Sequence, residues 1–145
     1  MSKLIKFEIV TPERKVMEEE ISQVTVPTLA GEITVLPEHI PLVGVVVPGV
    51  IEGVDKEGNP LVVSVSGGFV HVLKYKIVIL ADTAERAEEL DESRLQEARQ
   101  RAEDLKKDTR HMDQERFANI NASLAKELAR GKAVKRWKKI KNLNK

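Results

Sequence analysis

The sequence predicts an α+β chain in two parts, an N-terminal antiparallel β-sandwich followed by a C-terminal antiparallel two-helix hairpin. The residue types change near Ala81. Before it β-branched and large apolar residues dominate, and after it Ala, Glu, Arg, Gln and Leu dominate. In addition, short apolar runs alternate with Pro and Gly turns, which is typical of a sandwich or barrel. We therefore predict a sandwich over residues 1–86 and a helical hairpin with a basic tail over residues 87–145.

Eight apolar runs are predicted to be strands because they are short, apolar and bounded by turn residues. They are Lys3–Val10, Ile21–Val26, Glu32–Leu36, Leu42–Val47, Val50–Val54, Leu61–Ser66, Phe69–Leu73 and Ile77–Leu80. Pro27 is expected to end the second strand, since proline donates no ladder hydrogen bond. Polar hairpin tips are expected at 55–60 and 74–76, and Leu61–Ser66 is expected to pair with Phe69–Leu73.

The helical part is predicted to contain two helices, Asp91–Lys107 and about Asp113–Arg130, joined by a short connection near Thr109–Met112. Gly131 is expected to interrupt the second helix, after which Val134, Trp137 and Ile140 continue on a helical spacing. Each helix carries one narrow apolar stripe. The stripes are Leu95, Ala98, Ala102 and Leu105 in the first helix, and Phe117, Ile120, Leu124 and Leu128 in the second. Two narrow stripes bury little apolar area, so we expect the hairpin to be weakly held by itself.

Composition excludes several classes of protein. The chain has 145 residues and no cysteine, which excludes a disulfide framework and a thiolate site. Its longest apolar run, Ile40–Ile51, is too short to span a bilayer, and its start lacks the apolar stretch of a secretion signal. We therefore expect a soluble cytoplasmic protein without a transmembrane segment.

The charge is distributed unevenly. Residues 1–86 carry 8 basic and 12 acidic side chains, whereas residues 87–145 carry 16 and 11. Arg130–Lys145 contains 8 basic residues and no acidic one. Such a tail suits nucleic acid, anionic lipid or an acidic protein surface. Because the chain has one Trp and its lysines are not interleaved with aromatic residues, recognition of a nucleic-acid sequence is disfavoured.

No arrangement of residues points to an enzyme or a metal site. The three histidines, His39, His71 and His111, are not spaced as metal ligands. Glu85, Asp91 and Arg94 allow two interpretations: a helix cap with an i, i+3 ion pair, or a polar patch at the mouth of the hairpin. From the residues alone, the cap and ion pair are favoured.

Several segments in a fixed order resemble the epsilon subunit of the F-type ATP synthase. They are Ile9–Arg14 (IVTPER), Gly31-Glu32, Leu36–Leu42 (LPEHIPL), Pro48-Gly49, Gly67–Phe69 and Ile79–Glu85 (ILADTAE). The resemblance implies a ten-stranded sandwich and a helical hairpin without catalytic residues. Thr34 and Glu38 stand where the family often has glycine, so the loop must differ if those positions need positive φ.

The resemblance also implies a place on the central rotor, at the cytoplasmic face of the cell membrane, bound to the gamma subunit and the c ring. The segment implied to face them contains Glu32, Pro37, His39, Pro41 and Leu42. In many bacteria the helices restrain ATP hydrolysis by extending along gamma into the catalytic head. The basic residues expected to dock there are Lys132, Lys135, Arg136, Lys138 and Lys139.

Some members of the family bind a regulatory ATP through an I/L-D-x-x-R-A motif, although no cofactor is required. Leu90–Arg94 fits this motif except that Leu95 replaces its alanine. The site implied here is Glu85, Asp91, Arg94, Lys126 and Arg130, with Lys126 in place of an arginine that would hold phosphate with two hydrogen bonds. The competing hypothesis is a free-standing β-sandwich module whose basic tail binds nucleic acid or anionic membrane.

Overall fold

The computed structural model describes residues 3–90, 92–107 and 114–143, and it describes their side chains except at 92–93, 106–107, 114–117 and 143. The nine strands are β1 Ile5–Val10, β2 Lys15–Thr28, β3 Gly31–Val35, β4 Leu42–Val46, β5 Gly49–Asp55, β6 Pro60–Val65, β7 Gly68–Val72, β8 Lys76–Ala81 and β9 Ala84–Arg86. A 3-10 turn at Ala87–Glu89 leads to helices α1 (Glu92–Lys107) and α2 (Gln114–Leu143).

The strands form one sheet that folds over on itself. Its order is β1-β8-β7-β4-β2-β5-β6-β9, with β3 paired to β2, and β1 also pairs with β2. The long strand β2 therefore belongs to both layers, which confirms the predicted sandwich. The pairs are antiparallel except for β1 with β8, which run parallel. Nine strands are found among the described residues, where the resemblance implied ten.

The core consists of the aliphatic side chains that alternate along these strands. In β1, Ile5, Phe7 and Ile9 are buried, and in the neighbouring strand β8 Ile77 and Ile79 are buried in the same core. Because β-branched side chains pack well on a pleated surface, this composition favours sheet over helix throughout the first part. The hairpins with tips at 55–60 and 74–76 are both formed, as predicted.

One predicted strand pairing is wrong. β6 pairs with β5 and β9, whereas β7 pairs with β4 and β8, so Leu61–Ser66 and Phe69–Leu73 are not partners. Between them Gly67 and Gly68 have φ of +124° and +143°. These angles favour glycine, and they turn the chain from one layer into the other instead of reversing it within a layer.

Pro27 does not end a strand, contrary to the prediction. It lies inside β2, opposite Glu32 of β3, and its carbonyl accepts a hydrogen bond from the Val47 N–H at 3.1 Å. Proline lacks a donor but keeps its acceptor, so it is tolerated where the ladder needs only the carbonyl. Glu38 does adopt the positive φ that the resemblance suggested, at 66°, whereas Thr34 lies in ordinary strand within β3.

The helices form the predicted antiparallel pair, but Gly131 does not interrupt α2, which runs without a break to Leu143. Leu95 near the start of α1 and Val134 near the end of α2 line the same cavity of about 100 Å³. Two members of the predicted stripes, Leu105 and Leu128, are 50% and 42% exposed. The helices thus bury a narrower apolar surface than the predicted stripes would. Asp91 and the predicted connection Thr109–Met112 lie outside the described residues.

The end of α2 packs on the sandwich. Ala133 is fully buried against Val62 of β6 and Ala87 of the 3-10 turn, and Trp137 and Ile140 pack on the same cluster. The helical pair is therefore attached to the sheet through the part of α2 beyond its predicted end. No helix in the described ranges is long and apolar enough to cross a membrane.

Candidate interaction surfaces

The loop between β3 and β4 has a fixed conformation. The His39 N–H donates to the Leu36 carbonyl at 3.1 Å, and Lys3 Nζ donates to Glu38 Oε2 at 2.9 Å. That hydrogen bond from Lys3 lowers the pKa of Glu38. The neighbouring apolar residues Leu36 and Ile40 are 52% and 76% exposed. An ordered loop that exposes apolar side chains suits contact with another protein.

The residues implied by the resemblance to face the rotor lie along this loop and the strands beside it. Glu32 and Pro41 are exposed, whereas Pro37, His39 and Leu42 are half-buried. His39 Nδ1 lies 2.7 Å from the carbonyl oxygen of Ile40, which orients the imidazole along the loop. Glu32 lies on β3, next to the end of α2, and so differs from the other four in its surroundings.

Sequence reasoning missed an apolar patch on the outer face of the layer that contains β4, β7 and β8. Val43, Val45, Phe69 and Leu80 are between 41% and 69% exposed. Val45 pairs with Phe69, and Phe69 pairs with Leu80, so these side chains form one row across three strands. We call these four residues the apolar sheet face. A signal for it existed: strands that are apolar at consecutive positions are usually covered on both sides.

Glu85 and Arg130 are brought together, as the resemblance implied. Arg130 Nε donates to Glu85 Oε2 at 2.7 Å and its Nη2 pairs with Glu85 Oε1, while Nη1 donates to Glu127 Oε1 at 2.9 Å. Burial lowers the pKa of Arg130, but the hydrogen bonds and charges of the two carboxylates outweigh it and raise the pKa above its ordinary value. This cluster fixes α2 to the sandwich at β9.

The remaining residues of the implied ATP site are Lys126, Arg94 and Asp91. Lys126 is half-buried one turn before Arg130, Arg94 is exposed in the first turn of α1, and Asp91 lies outside the described residues. Glu127 was missed, although its spacing of three from Arg130 is an ion-pair signal. Its Oε2 is buried without a hydrogen-bond partner.

The five basic residues of α2 expected to dock on a catalytic head are all exposed. Four of them, Lys132, Lys135, Arg136 and Lys139, line a groove of about 340 Å³ together with Glu32 and Glu52 of the sandwich. Arg136 Nε donates to Glu52 Oε1 at 2.7 Å. Part of the basic tail therefore faces acidic residues of its own sheet.

Among residues 3–90, 92–107 and 114–143, no group of three or more His, Asp or Glu side chains is placed to hold a metal ion. The polar clusters described above are ion pairs between carboxylates and Lys or Arg. They contain no nucleophile beside a base, so the arrangement is suited to holding surfaces together.

The sandwich region matches a family model. The model is described as the ATP synthase, Delta/Epsilon chain, beta-sandwich domain, and it matches residues 4–87. These residues include every strand of the sheet and end at the first residue of the 3-10 turn.

Relatives match in sequence over most of the chain. The ATP synthase epsilon chain of Herpetosiphon aurantiacus is 46% identical over 104 residues, which are 72% of this chain and 76% of that protein. The ATP synthase epsilon chain of Desulforamulus reducens is 48% identical over 71% of this chain and 77% of its own length. The ATP synthase epsilon chain 2 of Ralstonia nicotianae is 35% identical over 92% and 94%.

Solved structures share the fold. A chain in the Euglena gracilis mitochondrial ATP synthase, solved as OSCP, F1 and c-ring, superposes with a TM-score of 0.72 at 24% identity over 87% of this chain and 78% of that one. A chain in the Tetrahymena thermophila mitochondrial ATP synthase central stalk and c-ring gives a TM-score of 0.60 at 14% identity, over 92% and 98%.

Proposed function

Because this chain belongs to the ATP synthase epsilon-chain family, we propose that it joins the gamma subunit to the c ring on the central stalk of a proton-translocating F-type ATP synthase. It is a non-catalytic subunit, and it belongs to the peripheral F1 part of the complex. As such it would lie at the cytoplasmic face of the cell membrane.

The observation that carries this proposal is the apolar sheet face. Its four side chains are exposed although they lie at the centre of a regular layer. Exposed apolar patches of this kind mark surfaces that another protein covers. We assign this face to the gamma subunit, because it exposes four large apolar side chains on three adjacent strands, whereas the loop between β3 and β4 exposes two, Leu36 and Ile40.

The assignment is tested by co-purification of gamma with Phe69→Asp. A carboxylate in the middle of the covered patch would be desolvated, so retention of gamma should fall by at least ten-fold. Leu29→Asp is the matched control, since Leu29 is 74% exposed in the turn between β2 and β3. Equal retention of gamma by both variants would refute the assignment.

The loop residues Glu32, Pro37, His39, Pro41 and Leu42 are assigned to the rotor contact next to the c ring. The internal hydrogen bonds of the loop and the positive φ of Glu38 support this, because a pre-formed loop loses little entropy on binding. The variant Glu32→Ala/His39→Ala should fold normally and reduce proton pumping driven by ATP in membranes. Undiminished pumping would remove these residues from the coupling contact.

Regulation of ATP hydrolysis is assigned to the helices. In the extended state, Lys132, Lys135, Arg136, Lys138 and Lys139 would meet the acidic loops that the family's catalytic head presents. Opposite charges across the interface favour this state at low salt and are screened within about 8–10 Å at physiological ionic strength. Deleting residues 87–145 should raise ATP hydrolysis by the complex, and unchanged hydrolysis would show that the helices do not inhibit.

We also assign a binding site for a regulatory ATP to the helices. Arg130 is already placed between two carboxylates, so phosphate would have to compete with Glu85 for its guanidinium. We expect millimolar-range binding in calorimetry, lost in Arg130→Gln and retained in Lys141→Gln, which removes a charge near the end of α2. The absence of heat with the intact chain would exclude the nucleotide.

A further inference from the structure

One histidine lies among apolar side chains on the outward side of the layer that contains β4, β7 and β8. His71 of β7 is on the same side of its strand as Phe69, because side chains two residues apart in a strand share a face. In the sheet register it lies between Val43 of β4 and Val78 of β8. His71 is exposed, as Val43 and Phe69 are, so it adjoins the apolar sheet face.

The charged groups nearest to His71 in the sheet come from β8 and β1. From β4 the opposite residue is Val43, which carries no charge. Lys76 lies on the same side of β8, and beyond it β1 carries Lys6 and Glu8. Glu8 is two strands from His71, which is about 10 Å at the usual spacing of strands. These residues belong to an ion-pair cluster of Lys6, Glu8, Lys15, Glu18 and Lys76.

This cluster uses its carboxylates internally. Glu8 lies 3.2 Å from Lys76 Nζ, and 3.6 Å from Nζ of both Lys6 and Lys15. The hydrogen bond from Lys76 lowers the pKa of Glu8, and that from Lys6 lowers the pKa of Glu18 to about 2. Both carboxylates therefore keep their charge between pH 5 and 8. With three lysines and two glutamates, the cluster has a positive net charge and offers no compensation for an imidazolium.

We propose that His71 makes the contact with the gamma subunit sensitive to pH, because the covered face accepts a neutral imidazole and excludes an imidazolium. Histidine changes its charge between pH 5 and 8. Water solvates both forms while the face is exposed, but a partner that covers Val43 and Phe69 removes that water. Burying an uncompensated charge is costly, so acidification should weaken the contact. This inference rests on the proposed contact of the apolar sheet face with gamma.

The test measures the affinity of the full-length chain for the F1 complex from which this subunit has been removed. The wild-type chain should bind roughly ten-fold more weakly at pH 5.5 than at pH 7.5. His71→Gln, which is neutral at both pH values, should bind with nearly the same affinity at both. His71→Lys should bind weakly at both. The matched control is Asn59→Lys, which adds the same charge at an exposed position between β5 and β6 and should behave like the wild type.

Three results would overturn the role of His71. They are wild-type binding that does not weaken with acidification, a pH dependence that persists in full in His71→Gln, and equal weakening by His71→Lys and Asn59→Lys. Each of them leaves the contact with gamma in place, since the wild-type chain still binds at pH 7.5. A wild-type chain that binds at neither pH would instead refute the proposed contact, and the inference with it.

Discussion

Gly68 shows at the scale of one residue how the two layers are joined. Its φ of +143° lies outside the range of L side chains, and a Cβ built on it would overlap the Leu80 carbonyl oxygen. These two constraints on residue 68 are independent, because the first concerns its own backbone conformation and the second concerns the neighbouring strand β8. The position therefore requires glycine for space as well as for conformation.

Gly68→Ala should accordingly lower the free energy of unfolding by about 3 kcal/mol or more. Gly58→Ala is its control, because Gly58 has a φ of +84° with nothing within 4 Å of a built Cβ. That variant should lose only about 1–2 kcal/mol, the cost of the left-handed conformation. Urea denaturation measures the free energy of unfolding of both variants. Similar decreases in the two variants would show that the overlap with Leu80 does not contribute to the destabilisation.

Glu8 and Glu18 form a second local feature, a cluster with three lysines at the junction of β1, β2 and β8. Lys6 Nζ lies 2.7 Å from Glu18 and Lys76 Nζ lies 3.2 Å from Glu8. The hydrogen bond from Lys76 is the main cause that lowers the pKa of Glu8. Hydrogen bonds from Lys6 and then Lys15 lower the pKa of Glu18 from 4.5 to about 2.

A carboxylate whose pKa is lower in the folded state stabilises the fold above its unfolded pKa, and this contribution is lost as pH falls toward the folded pKa. For Glu18 the window runs from pH 4.5 down to about 2. Glu18→Gln should therefore flatten the pH dependence of the urea midpoint in this window, more at low salt than at high salt. An unchanged curve in Glu18→Gln would exclude the cluster.

At the level of single residues, the amino-acid types alone did not identify side-chain partners that are distant in sequence, and the one such pair that was grouped beforehand came from the resemblance. Glu85 and Arg130 were grouped through the resemblance, and they do meet. Glu52 was not singled out, because nothing near it in sequence marks it as the partner of Arg136. The apolar sheet face was missed for a similar reason: Val45, Phe69 and Leu80 become neighbours only through non-local strand pairing.

At the scale of elements, a strand is found at each predicted position, but β2 begins six residues before its predicted start and β9 was not predicted. Runs of Val and Ile identify strands because branched side chains restrict the backbone locally. Which strands pair depends on the layer that each strand enters. For β7 this layer is determined by the positive φ angles of Gly67 and Gly68, and a pattern of apolar residues carries no information about φ. The same limit applies to α2, whose continuation past Gly131 depends on packing against β5 and β6.

Gly131 is a position in α2 where a substitution is expected to stabilise the chain. It lies inside the helix, and a Cβ built there would meet nothing within 4 Å. Gly131→Ala should therefore stabilise the chain by about 0.5–1 kcal/mol, because alanine loses less entropy on entering a helix. Thermal melting is expected to move upward, and an unchanged or lower midpoint would indicate that this glycine has a packing role in the cavity beside Leu95.

The whole molecule divides unevenly between a sandwich with its own core and helices that depend on it. Among the side chains that the structure describes, the sandwich core is formed by strand residues and includes none from α1 or α2. Residues 1–86 should consequently fold alone and still bind gamma, although the fragment would expose Val62. Circular dichroism and co-purification check this, and a fragment that is unfolded or does not bind gamma would contradict the division. A fragment that folds but associates with itself at high concentration would fit the exposure of Val62.

The parallel pairing of β1 with β8 has a consequence for how the protein is made. β1 cannot acquire this partner until Lys76–Ala81 has been synthesised, and β6 acquires β9 only at Arg86. At about 5–20 residues per second, residues 87–145 then take roughly 3 to 12 seconds to follow. All strands that carry the surface assigned to gamma are therefore synthesised before the first residue of α2. β5, β6 and the 3-10 turn, on which α2 packs, also precede it in the chain. We therefore expect α2 of each new molecule to pack on strands that have already been synthesised.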